Sequence, residues 1–268
     1  PTDFGGYAPS NFDFAFDGPL PIRDALATSR NIPAVKALEF AGVERFTSMA
    51  ERIGITFPLG DPIEREAGLT AALGAVEVTL VDMVEAYSVL ANNGVRREHY
   101  EITAIRDADG NPIFQADTDP GGLQVVSAEY AYLVTSILSD SNARAAEFGT
   151  GYPMNLSQGR IAAVKTGTSN DNRDVWTIGY TPQFVVGVWM GNTDNRPVNG
   201  NLTGYVGASP IWYQVMETAH VNYPLVDFTP PTGLVQGEVC NDSGAQPSAK
   251  CAELGLTHWD IFAANAPA

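Results

Sequence analysis

The sequence predicts an α+β fold on three observations. Its first half carries apolar residues at helical spacing in successive short segments. Residues 159–191 then hold three segments rich in Val, Ile and aromatic residues, separated by short turns. A last helical segment, SPIWYQVMETAHV, comes after them. Helices, then antiparallel strands, then a helix is an α+β order.

PIRDALATS and NIPAVKALEFAG read as two helices, the second stopped by Gly42. The polar break Thr28-Ser29-Arg30-Asn31 lies between them, and Pro33 suits the first turn of the second. VERFTSMAERIG is a third helix ending at Gly54, and FPLGDPIEREAG is a loop rich in Pro, Gly and acid. TLVDMVEAYSVLANNG is the clearest helix. Thr79 caps it, Asp82 sits where a capping box wants an acid, and Asn93-Gly94 ends it. YEITAIRD and NPIFQ flank Ala108-Asp109-Gly110, a hairpin signal. SAEYAYLVTSILSD is a helix with Ser127 as its cap. GRIAAVKTG, DVWTIGYT and QFVVGVWMG are the strands, and Thr181-Pro182-Gln183 turns the last two into an antiparallel hairpin. Pro210 is tolerated in the first turn of the closing helix. From Tyr223 onward the chain is rich in Pro and Gly and reads as a tail or small appended module. The expected division is a core over 1–222 and a tail over 223–268. The core has a helical subdomain over about 20–150 and a sheet with its C-terminal helix over about 159–221.

The length of 268 residues and an apolar content of 44% allow a sizeable core. A formal charge of -16, from 15 basic against 31 acidic residues, argues against nucleic acid as a partner, because a phosphate backbone needs a basic face. It disfavours anionic membrane surfaces for the same reason. No apolar run is long enough to span a bilayer and no signal peptide opens the chain. The opening residues, PTDFGGYAPSNFDF, read as the middle of a longer protein, so a fragment is expected.

Two cysteines, Cys240 and Cys251, flank a polar Gly/Pro/Ser loop. Free cysteine prefers a buried apolar site, so a short-loop disulfide is the favoured reading and two free thiols the alternative. The bond would contribute about 2–3 kcal/mol by loop entropy. The histidines His99, His220 and His258 have no ligand spacing and read as surface or cap residues, so no metal or cofactor is expected.

The chemistry concentrates in AVKTGTSNDNRDVWTIGYTP, residues 163–182. The chain has only three lysines, Lys36, Lys165 and Lys250, and Lys165 stands at a strand end. A snorkelling surface lysine is the ordinary reading of such a position. Its neighbours favour a site. Gly167 leaves room for a ligand backbone to lie along the strand. Thr166, Thr168 and Ser169 offer hydroxyls for a carboxylate, and the Thr168 N–H can face a developing oxyanion. Lys165 adds a charge that holds an anion or relays a proton.

Lys165-Thr166-Gly167-Thr168 matches the KTG motif of penicillin-binding proteins and class A β-lactamases. The flank NDNRDVWTIGYTPQFVVGVWMGN resembles the segment on the C-terminal side of this motif in class A, bifunctional penicillin-binding proteins. IRDALATSRNIPAVKALE, with Ser29-Arg30-Asn31 as the S-x-N motif, is similar to their upstream segment, as is LTAALGAVEVTLVDMVEAYSVLANNG to the stretch between the motifs. PPTGLVQGEVCNDSG is similar to their C-terminal end, so the resemblance covers nearly the whole chain. Val164 departs from the family, which usually has glycine there.

The resemblance implies a β-lactamase/transpeptidase-like fold, an antiparallel sheet with flanking helices and a helical subdomain. It implies that Ser29 relays a proton, that Asn31 binds the substrate amide, and that Lys165, Thr166 and Thr168 hold the substrate carboxylate. The Thr168 N–H would form half of the oxyanion hole. Helix capping is the alternative role for Ser29 and Asn31.

The family's nucleophile motif, S-x-x-K, does not occur; Ser248-Ala249-Lys250 has the wrong spacing. In the family it lies upstream of S-x-N, with the early sheet strands and the nucleophile helix. The chain is therefore expected to lack those N-terminal strands and that helix. The strand over 183–191 would then keep an unpaired edge and invite self-association, which a monodisperse monomer in sedimentation velocity would exclude. The implied function is part of a peptidoglycan DD-transpeptidase, acylated by penicillins, that cross-links stem peptides at D-Ala-D-Ala, the fragment being inactive alone. Alternatives are a serine β-lactamase or DD-carboxypeptidase of the same fold, or a non-catalytic peptide-binding module. The expected location is extracytoplasmic, with a membrane-anchored parent that also carries a glycosyltransferase domain.

Overall fold

A computed structural model describes residues 2–57, 67–118, 121–198 and 202–265. Residues 58–66, most of the expected FPLGDPIEREAG loop, lie outside the described residues.

Three helices open the fold: α1 (Ile22–Ala27), α2 (Asn31–Ala41) and α3 (Val43–Arg52). α2 buries Ile32, Val35 and Leu38, three apart along one face. Gly42, at φ +85°, lets the chain turn from α2 into α3 without a Cβ clash. A 3₁₀ turn over Gly68–Leu73 packs Ala71 against Leu38 of α2. Helix α4 (Leu80–Ala91) starts at Thr79, whose hydroxyl accepts from the Asp82 N–H at 3.1 Å. The expected capping box is only half made. The Asp82 carboxylate accepts instead from the Thr56 N–H at 3.0 Å and ties α4 to the segment that follows α3.

Strands β1 (Val95–Arg96) to β4 (Leu123–Gln124) form two small antiparallel pairs. β2 (Ala104–Arg106) and β3 (Pro112–Gln115) make the expected hairpin, and β1 pairs with β4. Helix α5 (Ala128–Leu138) comes next, capped by Ser127, then a single turn α6 (Ala145–Phe148).

The central sheet has the order β5 (Ala163–Thr168), β6 (Asp174–Tyr180), β7 (Val185–Gly191), all antiparallel. Alternate residues of β5 enter different cores, as a period of two requires. Ala163 packs with Leu138 and Tyr180 beneath α4 and α5. Val164 packs with Trp212 and Met216 of α7 (Ser209–Ala219) on the other face. Trp212 and Met216 are fully buried, each contributing about 1.5–3 kcal/mol by transfer from water. Among the described residues β5 and β7 each have one strand neighbour, so both outer edges of the sheet are open.

The C-terminal region is more regular than its composition suggested. β8 (Leu234–Cys240) and β9 (Thr257–Ala263) pair antiparallel across a connection that holds α8 (Ala249–Glu253). Its Gly237 and its polar residues disguised the strand pattern. Cys240 and Cys251 are disulfide-bonded with Cα atoms 6.1 Å apart, inside the ordinary range. The hairpin is held to the helices by Arg23 of α1. Its guanidinium donates to Asp260 of β9 at 3.0 Å and to the Ser136 hydroxyl of α5 at 3.2 Å, and lies 3.4 Å from Asp140. Among the described residues no helix is long and apolar enough to cross a membrane.

Candidate active site

The site begins at the polar break after α1. Ser29 takes φ +61°, a left-handed conformation that costs a serine roughly 1–2 kcal/mol. The Ser29 and Arg30 amides close back on Leu26 and Ala25 carbonyls at 3.1 and 2.9 Å, so the turn is tightly determined. α2 starts two residues later, and its cap is remote. The side-chain oxygen of Asn11 accepts from the Asn31 and Ile32 amides at 3.0 and 3.5 Å. Asn31 donates its side-chain amide to the Ser10 carbonyl at 2.8 Å. Arg30 holds Asp13 at 2.8 Å and Asp17 at 2.9 Å. Residues 10–17 are thus laced onto the S-x-N turn, and neither the Ser29 nor the Asn31 side chain caps a helix. Asn11 escaped the sequence reading because nothing local marks a cap supplied from 20 residues upstream.

Lys165 projects from β5 toward this turn. Its ammonium donates to the Ser29 hydroxyl at 2.6 Å and to the Thr166 carbonyl at 2.8 Å. Burial pulls its pKa from 10.5 down to about 8, since desolvation disfavours the charged form. Among the described residues no carboxylate pairs with it to offset that loss.

The ladder orients the rest of the strand. The Ser169 N–H bonds to the Asp174 carbonyl at 2.9 Å, on the β6 side. Antiparallel alternation then turns the Thr168 N–H and the Thr166 carbonyl to the free edge of β5, where Lys165 meets that carbonyl. Strand alternation puts Lys165 and Gly167 on the face toward Ser29, and Thr166 and Thr168 on the opposite face. The two sets converge only around the free edge. A Cβ at Gly167 would meet nothing closer than Trp176 Cβ at 3.5 Å, so the protein's own packing does not demand glycine there. The Thr168 hydroxyl accepts from the Gly204 N–H at 3.0 Å. Ser169 differs: its hydroxyl accepts from the Asp174 N–H at 2.7 Å and meets the Asp174 carboxylate at 3.2 Å, closing the turn between β5 and β6.

The geometry brings Ser29, Lys165, Thr166, Gly167 and Thr168 to one seam, with Asn31 at the first residue of α2, two residues after Ser29. It leaves Ser169 engaged in its own turn and Cys240 and Cys251 in the C-terminal hairpin. The seam can hold an extended chain along β5, bind an anion at its end, and pass a proton between Ser29 and Lys165.

Comparison with known proteins gives the family and the fold. The model of the penicillin-binding protein transpeptidase domain matches residues 4–217. Penicillin-binding protein 1A of Rickettsia conorii is 30% identical over 85% of this chain and 30% of its own length. Penicillin-binding protein 1C of Escherichia coli is 30% identical over 91% of this chain and 29% of its own. The chain therefore spans about 30% of the length of these curated relatives. The crystal structure of penicillin-binding protein 1A from Haemophilus influenzae superposes with a TM-score of 0.79 at 23% identity, covering 98% of this chain and 43% of that one. The PonA1 protein of Mycobacterium tuberculosis, solved with penicillin V, gives 0.75 at 24% identity over 92% of this chain and 67% of that one. The mixed helix-and-sheet architecture is the β-lactamase-like fold of those domains. By the family match over most of its length, this chain belongs to the penicillin-binding protein transpeptidases.

Proposed function

We propose that the chain supplies two of the three catalytic motifs of a serine-type peptidoglycan DD-transpeptidase, the nucleophile S-x-x-K lying in a segment this chain does not contain. The observation that carries this reading is the 2.6 Å contact between Lys165 Nζ and Ser29 Oγ, across 136 residues of sequence. Burial leaves Lys165 with a pKa of about 8, where it exchanges a proton readily near neutral pH. The substrate is a stem peptide ending in D-Ala-D-Ala, lying along the free edge of β5. Its terminal carboxylate is held by Thr168 and Thr166 with Lys165 nearby, and its amide by Asn31. The upstream serine attacks the penultimate D-Ala carbonyl, whose oxygen the Thr168 N–H stabilises. Ser29 and Lys165 relay the proton that the departing D-Ala amine takes up. The acyl group then passes to an amine of a neighbouring stem, regenerating the serine. β-Lactams enter by the same path, in an extracytoplasmic setting.

Intact mass after incubation with a penicillin tests this, on the chain and on a form extended upstream through S-x-x-K. One covalent adduct on the extended form alone is expected. An adduct on the chain itself would show that one of its own serines is the nucleophile and overturn the motif assignment.

A further inference from the structure

Behind Thr168 lies a buried polar cluster that the two motifs do not include. Residues Gly204–Ala208 form a π-turn that leads into α7. Such turns are rare and occur frequently at functional sites. Gly204 sits against the β5–β6 ladder. A Cβ there would stand 2.5 Å from the Trp176 carbonyl, 2.8 Å from the Gly167 carbonyl and 2.9 Å from Thr166 Cβ, so only glycine fits. Its carbonyl is met by two hydroxyls, Thr177 of β6 at 2.9 Å and Ser209 of α7 at 3.0 Å, which also bond each other at 2.9 Å. Both side chains are fully buried. Two protons serve three short contacts, so the carbonyl accepts at least one of them, and the second either joins it there or links the pair.

The consequence falls on Thr168. With the Gly204 carbonyl pinned, its N–H is aimed at Thr168 Oγ1 at 3.0 Å. A hydroxyl has one proton and two lone pairs, and this contact fills one lone pair. The Thr168 proton is thereby left to donate elsewhere. We propose that Thr177 and Ser209, through the Gly204 amide, are positioning residues that set the Thr168 hydroxyl as a hydrogen-bond donor for the carboxylate of the ligand. This rests on the transpeptidase reading and deepens it. Without the pair, the π-turn relaxes, the amide swings off Oγ1, and the hydroxyl rotates among its alternatives.

The test separates carboxylate recognition from general damage. In the form extended through S-x-x-K, acylation rates are measured with benzylpenicillin and with its methyl ester, which lacks the anionic carboxylate. The Thr177→Val/Ser209→Ala double variant is expected to slow acylation by benzylpenicillin about tenfold and by the ester less than about twofold. Thr177→Ser, which keeps the hydroxyl, is expected to retain the preference for the acid. Equal losses with acid and ester, or no loss with either, overturn the proposal. Failure of the unsubstituted protein to react with benzylpenicillin overturns the transpeptidase reading first, and the ligand assignment with it. The device itself is tested in the present chain by hydrogen exchange at the Gly204 amide. Exchange is expected to speed up at least about tenfold in the double variant and not in Thr177→Ser. Unchanged protection in the double variant overturns the positioning role whatever the acylation shows.

Discussion

Two of the long-range polar links in this molecule are built on opposite principles. Lys165 reaches Ser29 across 136 residues, and Arg23 reaches Asp260 across 237. Both cations are largely withdrawn from water. Arg23 is met by two carboxylates, Asp260 and Asp140, which raise its pKa against the opposing effect of burial. Lys165 is met by a hydroxyl and a carbonyl, so burial acts unopposed and lowers its pKa to about 8. The Arg23 link is a clamp that stays charged at all working pH values. The Lys165 link holds a proton loosely. A buried cation with counter-charges secures structure, whereas one with only neutral partners is ready for chemistry.

The comparison is broken most severely by Lys165→Met. It removes the loosely held proton, and penicillin acylation of the form extended through S-x-x-K is expected to fall by about a hundredfold or more. Stability should fall little or rise, because a buried charge without a counter-ion is gone; thermal melting checks this beside the kinetics. Arg23→Met should do the reverse. It strands Asp260 and Asp140, and a loss of about 2 kcal/mol in urea unfolding is expected after allowance for their partial exposure, with acylation within about twofold of the parent. If Arg23→Met abolished acylation while stability held, the division between clamp and reactive link would fail.

The pH dependences sharpen the same contrast. The folded pKa of Lys165 lies below its unfolded value of 10.5, so folding opposes its protonation. The resulting penalty is complete below about 8 and disappears as pH rises from there to 10.5. The stability of the protein relative to Lys165→Met should therefore improve over that window, by about 3 kcal/mol. Asp260 is shifted by opposing effects with a different outcome. Hydrogen bonds and charge from Arg23 outweigh burial and lower its pKa, so its contribution is present above 3.8 and is lost as pH falls through the folded value. Direct ¹⁵N titration of the Lys165 side chain, assignable by substitution among only three lysines, should give a midpoint near 8; a midpoint near 10.5 would remove the basis of the contrast. The smallest effect is expected at Asn11. Asn11→Ala removes the cap from α2 and should cost about 1 kcal/mol, read by denaturant unfolding.

Much of this was legible in the chain. The helices α1 to α5 announced themselves by periodicity and by local caps such as Thr79 and Ser127, because a helix satisfies its hydrogen bonds within a few residues. The β6–β7 hairpin was marked by its turn. Lys165 and the S-x-N turn were visible as motifs whose flanks carry the family pattern. The hidden features are non-local. The β8–β9 hairpin pairs strands with a helix between them, and its polar residues and Gly237 concealed the alternation. Ser169 looked like a ligand for a carboxylate, yet its hydroxyl is taken by Asp174 five residues on.

By itself the sequence determined the helices, the central strands and the family, and it singled out the residues proposed to carry chemistry, since these depend on short-range pattern and on residue type. Only the tertiary structure decided which of them meet. It set Lys165 against Ser29 without a counter-charge, supplied the cap of α2 from Asn11, and aimed the Gly204 amide at Thr168. A pKa, a remote cap and a hydroxyl's direction depend on neighbours brought together by chain folding, and no local stretch of sequence contains that information.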